Sequence, residues 1–250
     1  MIAMGIDLGG SGFRIGLFDT VTGELIGPIR HEHHGSSSAP SEVLPALVQA
    51  VADFGWTGPI GLGFPGAVEA SKPITAPNLG EAWLEVDIGA ALRQFHEGRF
   101  AMLNDADAVA VAEARHGRGD GGHACVLTLT VGTGLGTTVH RNGELIPNLE
   151  YGRLPHPTRD GCLEEHLSGS ARARFGWSLE HWASRFQEGL TYLEGKVQPA
   201  RIVLYGGIME HWQDIQPHLE TEAELVVAQL VETAGPLGAA LAAAQAAHPL

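Results

Sequence analysis

Apolar and polar positions along this chain fall into two copies of one design. Ile2–Leu8 is apolar almost throughout and meets Gly9-Gly10-Ser11-Gly12, and residues 13–19 then resume with Ile15 and Leu17. Residues 124–131 do the same: Thr128 and Thr130 alternate with apolar neighbours, Gly132-Thr133-Gly134-Leu135-Gly136 follows, and the pattern runs on through Val139 to a turn at Asn142-Gly143. Strand, glycine turn, strand is a hairpin signal. Each hairpin leads into α/β segments, which predicts two related halves facing each other across a cleft.

After the first hairpin, Ser41 is expected to cap an amphipathic helix with Val43, Leu44, Leu47, Val51 and Phe54 at helical spacing, with Pro45 near its first turn. Residues 59–64 read as a buried strand ending in Pro65-Gly66, 88–96 as a helix, 99–103 as a strand and 108–115 as a helix stopping near Gly117. After the second hairpin, one helix is expected from 161–165 through Ser168 and Gly169. Ser178 then caps a long helix with Trp182, Phe186, Leu190 and Leu193 on one face. Residues 201–204 form a strand that ends in Tyr205-Gly206-Gly207, and Gly235-Pro236 opens an Ala-rich terminal helix, with proline at a tolerated position. His31-Glu32-His33-His34, followed by Gly35-Ser36-Ser37-Ser38, reads as a solvated loop because it lacks the ligand spacing of metal sites. Arg118-Gly119-Asp120-Gly121-Gly122 reads as an exposed linker.

Composition narrows the function. Glycine is over-represented, at 34 of 250 residues, and clusters in short motifs, which implies tight turns and close backbone approaches. A formal charge of −14 argues against nucleic acid or an anionic membrane as partner. Cys125 and Cys162 are too few for a disulfide framework or a four-cysteine zinc site, so a reducing compartment and no structural zinc are expected. Met1-Ile2-Ala3-Met4 runs straight into a strand pattern, and no apolar run of transmembrane length follows, so the expected location is cytoplasmic.

The amides of a tight glycine turn converge on one space and bind anions. Two such turns could hold different phosphates of one nucleotide. Asp7, just before the first turn, reads either as a carboxylate for a hydrated Mg²⁺ or as a brace for the turn. Arg14 suits the neutralisation of phosphate charge. Asp105, in Leu103-Asn104-Asp105-Ala106-Asp107, stands where a strand ends and a helix begins. It reads as a helix cap or as the base that takes a hydroxyl proton during phosphoryl transfer. Asp107 would face elsewhere. Asn78 reads as a turn residue in Thr75-Ala76-Pro77-Asn78-Leu79.

Asp7-Leu8-Gly9-Gly10, Leu103-Asn104-Asp105-Ala106, Gly132-Thr133-Gly134-Leu135-Gly136 and Tyr205-Gly206-Gly207, in that order, resemble the ROK family of sugar kinases, and the resemblance spans nearly the whole chain. It implies an α/β, actin-like fold of the ribonuclease-H, hexokinase type. The expected division is a small domain of residues 1–103 plus 236–250 and a large domain of 104–235. The resemblance implies that Asp7, Gly9, Gly10 and Ser11, together with Gly132, Thr133 and Gly134, meet the donor phosphates. It places Gly206 and Gly207 against the adenosine, Asp105 as base, and Asn104, Asn78, Glu150 and Glu164 on the sugar. ATP, or polyphosphate as in the polyphosphate glucokinases that length and the region 178–204 resemble most, would be the donor with Mg²⁺. A hexose would be the acceptor, and a homodimer is expected. One departure stands out: the Glu-Leu-Gly-His of many family members is here Glu150-Tyr151-Gly152-Arg153, and arginine donates hydrogen bonds but cannot accept one. It keeps open a rival reading, a catalytically weak sugar- or nucleotide-binding protein on the same fold.

Overall fold

The computed structural model describes residues 1–33, 37–119 and 122–246. In chain order, β1 (Ile2–Leu8), β2 (Gly12–Asp19) and β3 (Leu25–His33) are followed by α1 (Pro40–Asp53) and β4 (Ile60–Phe64). Then come the short ribbon β5 (Val68–Glu69) and β6 (Lys72–Pro73), α2 (Ile88–Arg93), β7 (Phe100–Asn104) and α3 (Asp105–His116). The second half holds β8 (Cys125–Val131), β9 (Leu135–Arg141), β10 (Glu144–Ile146), α4 (Glu164–Leu167), α5 (Gly169–Phe175), α6 (Leu179–Val197), β11 (Arg201–Tyr205), α7 (Trp212–Ile215) and β12 (Glu224–Val227), and α8 (Ala234–Gln245) follows.

The two main sheets share one plan. Their strand orders are β3-β2-β1-β4-β7 and β10-β9-β8-β11-β12, each an antiparallel meander of three strands extended by two parallel ones. The glycine turns join the first two strands of each sheet, as the sequence pattern predicted. The chain divides into two compact units, Met1–Ala112 with the chain from Glu232, and Glu113–Val231. The first boundary therefore falls within α3 and not at its start, because Leu103, Ala108 and Ala239 share one small apolar cluster.

In the first unit the period of two along the strands decides everything that follows. Met4, Ile6, Leu8, Ile60, Leu62 and Phe64 point to one face and pack on Val43, Leu47 and Val51 of α1 and Ile88 and Leu92 of α2. Gly5, Gly61, Gly63 and Asp7 occupy the alternate positions, on the face that carries α8. A Cβ at Gly5 would lie 1.7 Å from the carbonyl oxygen of Pro236, one at Gly61 1.8 Å from that of Ala239, and one at Gly238 1.7 Å from that of Ala108. The helix backbone thus lies flush on the sheet and on α3, and nearly every residue of α8 is buried.

In the second unit Trp182, Phe186, Leu190, Leu193 and Val197 of α6 pack on Leu127, Leu129, Val131, Ile202 and Leu204, with Leu163 and Leu167 closing the core. The strand bridge between Pro155 and Cys162 closes a loop over residues 155–162. His156 and His166 meet beside it with ring centroids 4.8 Å apart. His156 Nδ1 accepts the amide of Thr158 (3.3 Å), and His166 Nε2 donates to the carbonyl of Asp160 (2.8 Å). Their other ring nitrogens, His156 Nε2 and His166 Nδ1, are buried without a partner.

Several local expectations are corrected. α1 starts at Pro40 with Ala39 as its uncapped N-cap, because proline at the first position presets φ; Ser41 lies inside the first turn. The single helix expected from 161–165 onward is two, since Ser168 turns extended and accepts the amide of Ala171 (3.1 Å), capping α5 afresh. The helix expected over 88–96 ends at Arg93. His31, Glu32 and His33 close β3, with Arg14 opposite His31 and Gly12 opposite His33. An edge strand tolerates polar residues on both faces, which erased its alternation; His34, Gly35 and Ser36 lie outside the described residues. Gly119 is buried, its amide donating to the carbonyl of Glu113 (2.8 Å), so the expected linker is anchored there; Asp120 and Gly121 lie outside the described residues.

Two stability predictions follow from this packing. Gly61→Ala should cost about 2–3 kcal/mol in a denaturant titration, because the clash is with rigid helix backbone. Gly195→Ala in α6, where nothing lies within 4 Å of the added methyl, should instead stabilise by about 0.5–1 kcal/mol. Equal effects would contradict the flush contact. Burial, followed by repulsion from His166, lowers the pKa of His156 from its ordinary 6.5. The fold therefore favours neutral His156, and stability is lost as pH falls through 6.5 towards the lower folded value. Melting temperatures between pH 8 and pH 5 should fall less steeply for His156→Gln than for the wild type; parallel curves would remove His156 from the acid response.

Candidate active site

In the first unit, parallel β1, β4 and β7 end side by side, with Asp7 opposite Gly63 and Phe64 opposite Asn104. Ligands of open α/β sheets gather at this edge. A methyl built on Gly63 would lie 3.5 Å from Asp7 Oδ1 and 3.6 Å from Cα of Asp105, so the Asp7 carboxylate and the backbone of Asp105 both flank this glycine. Asn104 is buried, and its Oδ1 accepts the amides of Ala106 (2.9 Å) and Asp107 (3.1 Å) while its Nδ2 donates to the carbonyl of Gly66 (3.1 Å). Asn104 is therefore the cap that α3 requires. Asp105 Oδ1 also accepts the amide of Ala106 (2.8 Å), which is shared between the two side chains. The capping role expected of Asp105 has passed largely to its neighbour, and Asn104 is given a buried structural duty in addition to the sugar contact expected of it. Asp107 is buried.

Asp7 and Arg14 sit opposite each other across β1 and β2. Arg14 Nε donates to Asp7 Oδ2 (3.1 Å), its Nη2 to the same oxygen, and its Nη1 to the carbonyl of Glu232 (2.9 Å). A Cβ at Gly235 would lie 2.7 Å from Asp7 Cγ, so the N-terminal turn of α8 closes over the carboxylate. The positive end of a helix favours an anion there. Arg14 is thus first a buttress of Asp7. The first glycine turn is closed by the amide of Gly9 donating to Gly12 (2.8 Å), and a cavity of about 370 Å³ opens beside it, lined by Asp7, Gly9, Ser11, Arg14, His31 and His33 among others. Asn78 lies exposed in a turn whose backbone approaches Gly10.

The second unit assembles its own group. Gly132, Thr133 and Gly134 link β8 to β9, and Ser170 of α5 braces them, its amide donating to Gly132 (3.2 Å) and its hydroxyl to the carbonyl of Thr133 (2.5 Å). Glu164 Oε2 accepts the amide of Leu135 (2.9 Å), and its Oε1 lies 3.4 Å from Arg153 Nη1. A Cβ at Gly134 would lie 2.5 Å from that carboxylate, so the bond from Leu135 would have to adjust to any side chain at this position. Glu150 is placed by its neighbours: Thr137 Oγ1 donates to the carbonyl of Leu149 (2.5 Å) and accepts the amide of Tyr151 (3.0 Å), and Gly152 packs on the carbonyl of Leu135. Glu150 keeps contact with solvent, yet protein packed around it raises its carboxyl pKa, opposed by Arg153 and assisted by Glu164. Gly206 follows β11 with φ of 129°, and a Cβ there would lie 2.0 Å from the carbonyl of Val131, the residue before the second turn. Gly207 opens the next helical turn.

The structure therefore gathers Asp7, Gly9, Gly10, Ser11, Arg14, Asn78, Asn104 and Asp105 within the first unit, and Gly132, Thr133, Gly134, Glu150, Glu164, Gly206 and Gly207 within the second. Sequence reasoning missed Gly63, Gly235 and the carbonyl of Glu232. The alternation Ile60-Gly61-Leu62-Gly63-Phe64 carried a signal for Gly63, since a strand with glycine on one face announces a close neighbour there. A backbone carbonyl carries none. Cys125 and Cys162 are free thiols, and among the described residues no three His, Cys, Asp or Glu side chains converge as a metal site.

Known proteins resemble this chain in sequence and in fold. The ROK family model matches residues 3–181. Polyphosphate glucokinase of Mycobacterium tuberculosis is 36% identical over 242 residues, covering 95% of this chain and 89% of its own. The inorganic polyphosphate/ATP-glucomannokinase of Arthrobacter sp. strain KM superposes with a TM-score of 0.89 at 32% identity, covering 97% of this chain and 98% of its own. A ROK family glucokinase from Streptomyces griseus, solved with glucose and AMPPNP, superposes with a TM-score of 0.82 at 22% identity, over 98% of this chain and 100% of its own, and speaks for the fold. The doubled sheet plan, the paired glycine turns and these likenesses agree: the chain belongs to the ROK family and has the actin-like fold of its hexokinase-type kinases.

Proposed function

We propose that this protein is a sugar kinase that transfers a phosphoryl group from ATP to a hexose hydroxyl, glucose O6 in the first instance, in the cytoplasm and as a homodimer. The observation that carries the reading is Asp105 at the head of α3, beside Asp7 at the sheet edge, with Asn104 doing the capping. A carboxylate so placed takes the proton of the acceptor hydroxyl as it attacks the terminal phosphorus. The amides of Gly9, Gly10 and Ser11, and of Gly132, Thr133 and Gly134, receive the donor oxygens as preorganised donors. Magnesium, which takes phosphate oxygens and one or two carboxylates, supplies charge neutralisation when bound with the donor; Asp7 suits it, a carboxylate steadied through Oδ2 by Arg14. Glu150 and Glu164 accept from sugar hydroxyls, with Asn78 and Asn104 as further partners, and Gly206 and Gly207 leave room for the adenosine.

Asp105→Asn should lower kcat at least about a hundredfold while sugar affinity and melting temperature hold, because the amide cannot take a proton but can still accept the amide of Ala106. Near-normal turnover in a coupled assay would take Asp105 out of the mechanism. The rival reading, a binding protein with little catalysis, draws on Arg153, whose guanidinium leans on Glu164 in place of a histidine. A panel of sugars with ATP distinguishes the two: binding without phosphorylation would favour the rival.

Polyphosphate is the second donor to weigh, favoured by the names of the 36%-identical relatives. Tracking a polyanion needs a row of cations. Here the net charge is −14, and Arg172 and Arg174, the latter stacked over the ring of Phe175 (4.5 Å), are two cations on one short helix and make no row. ATP is therefore proposed as the better donor. Initial rates with each donor at matched Mg²⁺ and low salt should give ATP the higher kcat/KM. A higher value for polyphosphate, collapsing as salt is raised, would reverse the assignment.

A further inference from the structure

Glu113 is fully buried, and it stands where the chain leaves the first compact unit: the units divide between Ala112 and Glu113 and again between Val231 and Glu232. A buried carboxylate is costly unless its oxygens are satisfied. Glu113 is satisfied by backbone alone. Its Oε1 accepts the amides of Gln229 (2.9 Å) and Leu230 (2.6 Å), and its Oε2 accepts the amide of Arg118 (2.8 Å). Its own carbonyl accepts the amides of Gly117 (3.0 Å) and Gly119 (2.8 Å), and a Cβ at Gly117 would lie 2.2 Å from Oε2. One side chain of the second unit therefore ties the end of α3 to the segment after β12, at the two places where the chain enters and leaves that unit.

Each passage leads to the candidate chemistry. Back along α3 lies Asp105, at the first residue of the same helix. Forward from Leu230 lies Glu232, whose carbonyl receives Arg14, and Arg14 holds Asp7. We propose that Glu113 is a positioning residue: its carboxylate locks the two passages in register, so that Asp105 and the Asp7–Arg14 pair are held by one common anchor. The kinetic side of this inference rests on the sugar-kinase reading; the mechanical side does not. An acceptor with two oxygens suits the task, because three backbone amides converge on it.

Glu113→Gln tests it with little change of shape. One oxygen becomes an NH₂ group facing an amide N–H, so donor meets donor. In the full-length protein, hydrogen exchange should quicken at Arg118, Gln229 and Leu230, and also at the distant amides of Gly9 and Ala106. Assayed well below the melting midpoint, kcat/KM should fall about tenfold to a hundredfold with kcat and KM both altered, the signature of misplaced groups. Faster exchange confined to Arg118, Gln229 and Leu230, with wild-type kcat and KM, would overturn the proposal and leave Glu113 a local brace. Should the variant not fold, the wild type decides: in native-state exchange at rising denaturant, Gln229, Leu230, Gly9 and Ala106 should open with one common slope, and separate slopes would overturn the coupling. If the wild type phosphorylates no sugar, the kinase reading fails while the exchange comparison still stands.

Discussion

The structure of the first unit depends on one constraint: the backbone of the terminal helix touches the backbone of the sheet. Gly5 and Gly61 under α8, and Gly238 over α3, carry no side chain that would hold the backbones apart at these points. This contact does more than fill space. It brings the N-terminal turn of α8 over Asp7 and delivers the carbonyl of Glu232 to Arg14. Because strands alternate faces, the apolar residues that could not serve here are all committed to α1 and α2 on the other side. A flush helix and an oriented carboxylate are thus two results of one packing decision.

The second unit solves a related problem with charge. Its glycine turn is braced by Ser170 and by the carboxylate of Glu164, which would have to shift to admit a side chain at Gly134. Under the phosphate-binding role proposed for this turn, a carboxylate beside it is electrostatically awkward. Arg153 offsets it at 3.4 Å, and the arginine that breaks the family pattern therefore has a physical partner. The same arginine opposes the burial that raises Glu150. Three charges here form one group, and the consequence of replacing any of them depends on the other two.

What the amino-acid order determined by itself was local. Glycine turns between apolar strands announced both hairpins, helical spacing announced α1 and α6, and the four motifs in order announced the family and, with it, the fold. Local competition blurred the rest. Ser168 was free to cap a second helix, Pro40 displaced Ser41, and the polar edge strand ending at His33 lost the alternation that would have marked it.

Only the tertiary structure decided which residues meet across long stretches of chain. Glu113 and Leu230 are 117 positions apart, and Arg14 and Glu232 218 apart. No periodicity encodes such pairs, because the acceptor in one case and the donors in the other are backbone groups that every residue carries. Asn104 and Asp105 look alike as caps in sequence, and only the buried carbonyl of Gly66 and the amide of Asp107 tell them apart. The sequence names the chemistry available at each position; the close approach of backbones, which only folding creates, selects which side chains carry it.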